Sequence, residues 1–160
     1  EAPDALRNNH SDWIVLLTFS KAWGLAGLRI GYGIVSTSLL TNYLDRVRTP
    51  FNTNGAAQAA AMAALDDLAN VRKVAELTIA ERERVKQALQ GAGYRVVPSK
   101  GNFLFFNTGT SGTDISERLL AEGMIVKPWK QPGYERFVRV SIGTPAENDH
   151  FLDALAKTRS

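Results

Sequence analysis

The chain has 160 residues, 44% of them hydrophobic and 22% charged, the balance of a globular protein able to bury a core. Its 19 basic residues are scattered among 16 acidic ones for a formal net charge of +3, with no basic block, which argues against nucleic-acid or membrane-surface binding. Cysteine is absent, which removes disulfides, a thiolate nucleophile and a cysteine-based zinc site.

His10 and His150 lie far apart, form no metal-ligand spacing, and read as exposed polar residues, so no metal is expected. No apolar stretch approaches a membrane span and the first residues lack a secretory pattern, so a cytoplasmic location is expected. Residues 1–12 carry no initiator methionine and run almost at once into an apolar strand, the pattern of a cut made inside a larger protein.

Residues 13–19, Trp-Ile-Val-Leu-Leu-Thr-Phe, form a nearly unbroken apolar run, which predicts a strand covered on both faces in a parallel sheet. A loop follows, then a second strand over residues 29–35, loosened by Gly31 and Gly33. Ser38 is the expected N-cap of a helix with Leu39, Leu40, Tyr43, Leu44 and Val47 on one face, ended by Pro50. The alanine-rich residues 56–65 predict a closely packed helix. A longer helix is expected over 70–90, with Val71, Val74 and Ala75, then Val85, Ala88 and Leu89 inward, stopped by Gly91 and Gly93.

Beyond it the pattern becomes α+β. Strands are expected at 94–97, 103–106, 124–126 and 138–142. A helix starting at Thr113 or Asp114 carries Ile115, Leu119 and Leu120 inward and ends at Gly123. The last helix shows Thr144 as N-cap, Pro145 at the first position and Glu147 completing a capping box, with Phe151, Leu152 and Leu155 as its apolar stripe. The expected division is a fragment of an α/β lobe over 1–80 and a compact α+β lobe over 81–160.

The chemistry concentrates in residues 18–29, Thr-Phe-Ser-Lys-Ala-Trp-Gly-Leu-Ala-Gly-Leu-Arg, where a strand gives way to a loop. The hydroxyls of Thr18 and Ser20 and the guanidinium of Arg29 can hold a phosphate dianion, while Gly24 and Gly27 admit close backbone approach. Lys21 lies among them, and an amine beside a bound aldehyde forms an imine. On residue types alone, a solvated loop lysine and a surface arginine remain the ordinary reading.

The same segment resembles the cofactor-lysine motif of fold type I pyridoxal-5′-phosphate (PLP) aminotransferases, in the form typical of histidinol-phosphate aminotransferases. The resemblance implies that Lys21 forms the Schiff base with PLP, that Thr18 and Ser20 bind its phosphate, and that Arg29 pairs with that phosphate. Residues 137–148, Phe-Val-Arg-Val-Ser-Ile-Gly-Thr-Pro-Ala-Glu-Asn, resemble the family's C-terminal segment, whose arginine, here Arg139, binds the anionic end of the substrate. Alternation agrees: Val138, Val140 and Ile142 face one side of the strand, Arg139 and Ser141 the other. Segments 50–54, 100–103 and 123–128 also look familial, which adds Asn102 and Lys127 as candidate substrate residues and 51–54 as a candidate homodimer contact. Lys127 stands where the family commonly has an arginine, keeping the charge but losing the bidentate fork. Trp23 and Trp129 read as packing residues.

The fold so implied is α/β, part of the PLP-dependent transferase large domain followed by a small α+β C-terminal domain. An acidic partner for the PLP ring nitrogen, a ring stacked on the cofactor, and an asparagine and a tyrosine at its 3-hydroxyl are implied to precede Glu1, so the present chain alone is expected to be inactive. The implied activity is transamination between histidinol phosphate and 2-oxoglutarate, with glutamate as the usual donor, in histidine biosynthesis. Alternatives within the class are an aromatic aminotransferase or a threonine-phosphate decarboxylase. An aminotransferase-like effector sensor is the alternative outside it.

Overall fold

A computed structural model of the chain describes residues 12–158; His10 and most of the segment before the first strand fall outside them. The chain divides into two compact units, residues 1–72 and 73–160.

In the first unit, strand β1 (Ile14–Thr18) pairs with β2 (Gly31–Val35) in an antiparallel ladder running from Ile14↔Val35 to Thr18↔Gly31. The expected parallel, doubly covered strand is therefore corrected. The connection from 19 to 30 holds a three-residue 3-10 turn, Ala26–Leu28, and no crossover helix, so the second strand returns antiparallel. Gly31 is required by this pairing, because a Cβ there would lie 2.6 Å from the Leu17 carbonyl oxygen. Helix α1 (Ser38–Val47) starts one residue earlier than expected: the Thr37 hydroxyl accepts from the Leu40 N–H at 3.3 Å, so Thr37, not Ser38, is the cap. Its apolar face is largely uncovered, with Leu39, Tyr43, Leu44 and Val47 all exposed. Helix α2 (Gly55–Asp66) is capped by Asn54 Oδ1 and buries Ala57 and Ala61. With Phe19 and Ile30 these two alanines make the unit's small core.

Helix α3 (Leu68–Gly91) begins in the first unit and runs into the second. It ends in a Schellman turn: Gly93 at φ +87° donates to Gln90 O and Tyr94 N–H to Leu89 O. Gly93 is thus the stop, while Gly91 is still helical. Tyr94 is spent on this turn and β3 begins one residue later, at Arg95–Val97. Val85 and Leu89 are buried as expected, but Ala88 is exposed.

The second unit is a four-stranded antiparallel sheet in the order β3-β4-β6-β5, with β4 at Phe103–Asn107, β5 at Lys127–Pro128 and β6 at Phe137–Ser141. Helices α4 (Gly112–Ala121) and α5 (Pro145–Lys157) and the second half of α3 cover one face, on which Leu104, Phe106 and Val138 are fully buried. Ser111 caps α4, ahead of the expected start. Ile115 and Leu119 point inward, whereas Leu120, one residue round the helix, is exposed. The strand expected at 124–126 does not form. Gly123 at φ +81° and Met124 close a second Schellman turn onto Leu120 and Leu119, which spends the Met124 N–H before any ladder begins. Both halves of the capping box on α5 are present.

Candidate active site

Thr18 ends β1, and its hydroxyl accepts from the Ser20 N–H at 3.0 Å and donates to Ser20 Oγ at 2.9 Å. This local turn lifts the chain out of the ladder and sets the two hydroxyls side by side. Lys21 follows, exposed, with its carbonyl held by the Gly24 N–H at 2.9 Å. A Cβ added at Gly24 or Gly27 would meet nothing within 4 Å, so this part of the loop is open. Phe19, between the hydroxyl residues, is buried against Trp23 and Tyr32 and anchors the loop, which gives Trp23 its expected packing role. Arg29 closes the loop in the left-handed conformation, φ 55° and ψ 46°, and its guanidinium donates to Ala26 O at 2.9 Å. A non-glycine residue held there costs roughly 1–2 kcal/mol, the kind of strain that persists where position matters. One strand-end loop therefore gathers Thr18, Ser20, Lys21 and Arg29.

The second group lies on the helix-free face of the four-stranded sheet. Val97, Phe105, Arg139 and Lys127 form one cross-strand row, with Arg139 directly opposite Lys127. Like charges opposed across a ladder repel, and among the described residues neither makes an ion pair. Each rests on an aromatic ring instead: the Arg139 guanidinium 5.3 Å from the Phe103 centroid and the Lys127 ammonium 5.4 Å from that of Trp129. Arg139 lines a cavity of about 240 Å³ with Ser99, Phe103, Phe105 and Trp129. Two cations without counter-charge beside a cavity suit an anionic ligand. Asn102 stands in the loop before β4 with its side chain exposed, and its carbonyl accepts from the Ile142 N–H at 2.9 Å. Trp129, expected as packing, packs on Phe105 and also walls this cavity.

Sequence reading missed a polar cluster formed by α3 and α5. Glu81, Arg82 and Asn148 are almost fully buried although two of them are charged. Hydrogen bonds from Arg84 and from Asn148 hold the Glu81 carboxyl below its ordinary range. Charged residues on a long helix ordinarily read as a solvated face; the only sequence signal was the Glu81–Arg84 spacing of three. His150 is exposed, with a ring nitrogen 3.1 Å from Glu122 O. Among the described residues no group of three His, Asp or Glu could hold a metal, and no helix is long and apolar enough to cross a membrane.

Comparison with known proteins assigns the class. Residues 3–155 match the aminotransferase class I and II family, and the chain belongs to that family. It is 54% identical over 159 residues to histidinol-phosphate aminotransferase 3 of Rhizobium meliloti, covering 99% of this chain and 43% of that protein. Identity to histidinol-phosphate aminotransferase 1 of Mesorhizobium japonicum is 61% over 145 residues, covering 91% and 40%. The crystal structure of histidinol-phosphate aminotransferase from Sinorhizobium meliloti in complex with pyridoxal-5′-phosphate superposes with a TM-score of 0.81 at 32% identity, covering 90% of this chain and 40% of that one. The fold is the α/β fold of these enzymes, and the chain spans about two fifths of the length of the relatives it matches.

Proposed function

We propose that the chain is the lysine-bearing and C-terminal portion of a PLP-dependent aminotransferase whose intact subunit transfers an amino group between histidinol phosphate and 2-oxoglutarate, in histidine biosynthesis. The observation that carries this reading is the gathering of two hydroxyls, an amine and a strained arginine in the single β1–β2 loop. That donor set fits PLP: the hydroxyls and guanidinium suit its phosphate, and the amine suits its aldehyde. When bound, PLP supplies an aldehyde that condenses with amines and a ring that takes up negative charge from the substrate α-carbon.

Lys21 then has two tasks. It would attach the cofactor through its amine, and the same amine, when free, would carry a proton to and from the substrate α-carbon. Thr18 and Ser20 hold the phosphate, joined by Arg29 once its guanidinium leaves Ala26 O. Arg139 and Lys127 hold the anionic end of the substrate, with Asn102 beside them. Residues 1–80 are read as part of the large cofactor-binding domain and 81–160 as the small domain, with α3 as the connector. The intact protein is read as a cytoplasmic homodimer, with 51–54 at its interface; there Phe51 is fully exposed at φ 57°.

The test uses the full-length protein. Borohydride reduction should fix pyridoxyl on Lys21, as located by peptide mapping, and Lys21→Ala should abolish both the fixation and turnover of histidinol phosphate with 2-oxoglutarate. Fixation on another lysine would overturn the site. Turnover of aromatic amino acids alone would overturn the substrate.

A further inference from the structure

We propose that Glu81, Arg82 and Arg84 of α3, together with Asn148 of α5, are positioning residues that fix the two loops beside Arg139 and so set the affinity of the substrate-anion site. This rests on the reading of Arg139 and Lys127 given above.

Each loop is gripped separately. Arg82, only 8% exposed, donates from Nη1 to Gly101 O at 3.2 Å, in the loop whose Ser99 lines the Arg139 cavity. Ser99 Oγ also accepts from the Gly101 N–H at 3.1 Å and donates to Phe103 O at 2.8 Å, so the arginine braces a folded loop. On the other side, Asn148, 3% exposed, bonds both backbone groups of Gly143: Oδ1 accepts its N–H at 3.0 Å and Nδ2 donates to its carbonyl at 3.1 Å. The same Nδ2 donates to Glu81 Oε2 at 2.8 Å. Glu81 is held in turn by Arg84 Nε at 3.0 Å and Nη2 at 2.7 Å, and Arg84 Nη1 reaches Asp149 at 2.7 Å.

The two loops are tied to each other by the Ile142 N–H donating to Asn102 O. Arg139 lies in the middle of β6, which runs directly into the Ile142–Gly143 turn, so a shift of that turn is passed along the strand that carries the guanidinium. The turn packs closely on the start of α5, where a Cβ on Gly143 would lie 3.1 Å from Glu147 Cβ. Stability alone is a weak explanation for burying these charges, because apolar packing of similar volume often does as well. Polar groups that converge on the loops of a binding site match what holds a site to sub-ångström geometry.

The experiment compares Arg82→Met, Arg82→Lys and Asn148→Ala in full-length holoenzyme, with Leu89→Ala as a core control whose side chain makes no hydrogen bond to either loop. Readouts are KM and kcat with histidinol phosphate and 2-oxoglutarate, dissociation constants for PLP and for inorganic phosphate, and Tm. Arg82→Met and Asn148→Ala should raise KM and weaken phosphate binding about tenfold or more, with kcat and PLP affinity within about twofold. Arg82→Lys should recover most of the loss, and Leu89→Ala should lower Tm without moving KM. If Asn148→Ala does not fold, the Arg82 pair carries the comparison. Loss of Tm with unchanged KM and phosphate affinity, or an equal rise in KM from Leu89→Ala, overturns the proposal. If the unsubstituted enzyme binds PLP on Lys21 but turns over neither substrate, the proposed substrate is wrong, and the phosphate measurement still decides the positioning role.

Discussion

Arg29 and Arg139 have the same side chain and opposite settings. Arg29 is exposed, strained at φ 55°, and folded onto Ala26 O of its own loop; Arg139 is half-buried in a strand and stacked on Phe103. Arg29→Ala should therefore weaken PLP binding more than substrate binding in the full-length enzyme, and Arg139→Ala should do the reverse. A hydrogen bond to a charged group contributes roughly 1.5–3 kcal/mol, about ten- to a hundredfold in affinity for each. Cofactor and substrate titrations of both variants check this, and equal effects of the two on PLP affinity would remove the division of roles. The strain adds a second expectation. Arg29→Gly should gain roughly 1 kcal/mol of folding stability while losing cofactor affinity, seen as a higher Tm for the apo form. At this scale residue types alone left Lys21 and Arg29 as an ordinary loop lysine and surface arginine, and the resemblance to a family motif singled them out. Glu81 and Arg82 do not stand out on a helix rich in charge, and only the fold shows them buried.

Elements were legible where their ends carry their own chemistry. The capping box of α5 is written in four residues, and the structure contains both of its hydrogen bonds, Glu147 Oε2 accepting from the Thr144 N–H at 2.7 Å and the Glu147 N–H donating to Thr144 Oγ1 at 3.4 Å. Thr144→Ala should cost about 1 kcal/mol. The Thr144 backbone N–H first, and its hydroxyl second, hold the Glu147 carboxyl below its ordinary value of 4.5. A group depressed in the folded state contributes stability above its unfolded pKa and loses it as pH falls through the folded one. Glu147→Gln should accordingly lower stability at pH 7, where the carboxylate's contribution is fully present, and flatten the acid limb below about pH 4.5, where the two proteins converge. Denaturant melts of both proteins between pH 3 and 7 check this, and parallel curves would remove the carboxylate from the cap. Where an element's end depends on a long-range choice, sequence was a poorer guide. Residues 124–126 have strand composition, but the Schellman turn at Gly123 claims the first of them. The apolar run at 13–19 is equally compatible with parallel and antiparallel neighbours, and the form of the 19–30 connection decided between them.

Over the whole molecule, the two units differ in how much apolar surface they cover. The second encloses a continuous core from Val85 and Leu89 through Leu104, Phe106 and Val138 to Phe151 and Leu155. The first buries Phe19, Ile30, Ala57 and Ala61, while Leu16 is 80% and Val47 76% exposed. Burying one such side chain contributes about 1.5–3 kcal/mol, so the first unit forgoes a large share of the stabilisation its composition offers. In relatives more than twice as long, further chain is available to cover such a face. Expressed alone, the 160-residue chain should therefore show strong hydrogen-exchange protection at Leu104, Phe106 and Val140 and weak protection across 14–35. It should also self-associate and lack transaminase turnover. Leu16 gives the sharper test. Leu16→Asp should hardly alter the melting of the isolated chain, since the side chain is already in water. In the full-length enzyme the same change should lower Tm and cofactor occupancy, because a carboxylate would then be forced under a covering layer beside the Thr18 and Lys21 loop. Equal tolerance of Leu16→Asp in both proteins, or protection of Leu16 and Leu17 in the isolated chain matching that of Phe106, would show that the first unit is complete as it stands.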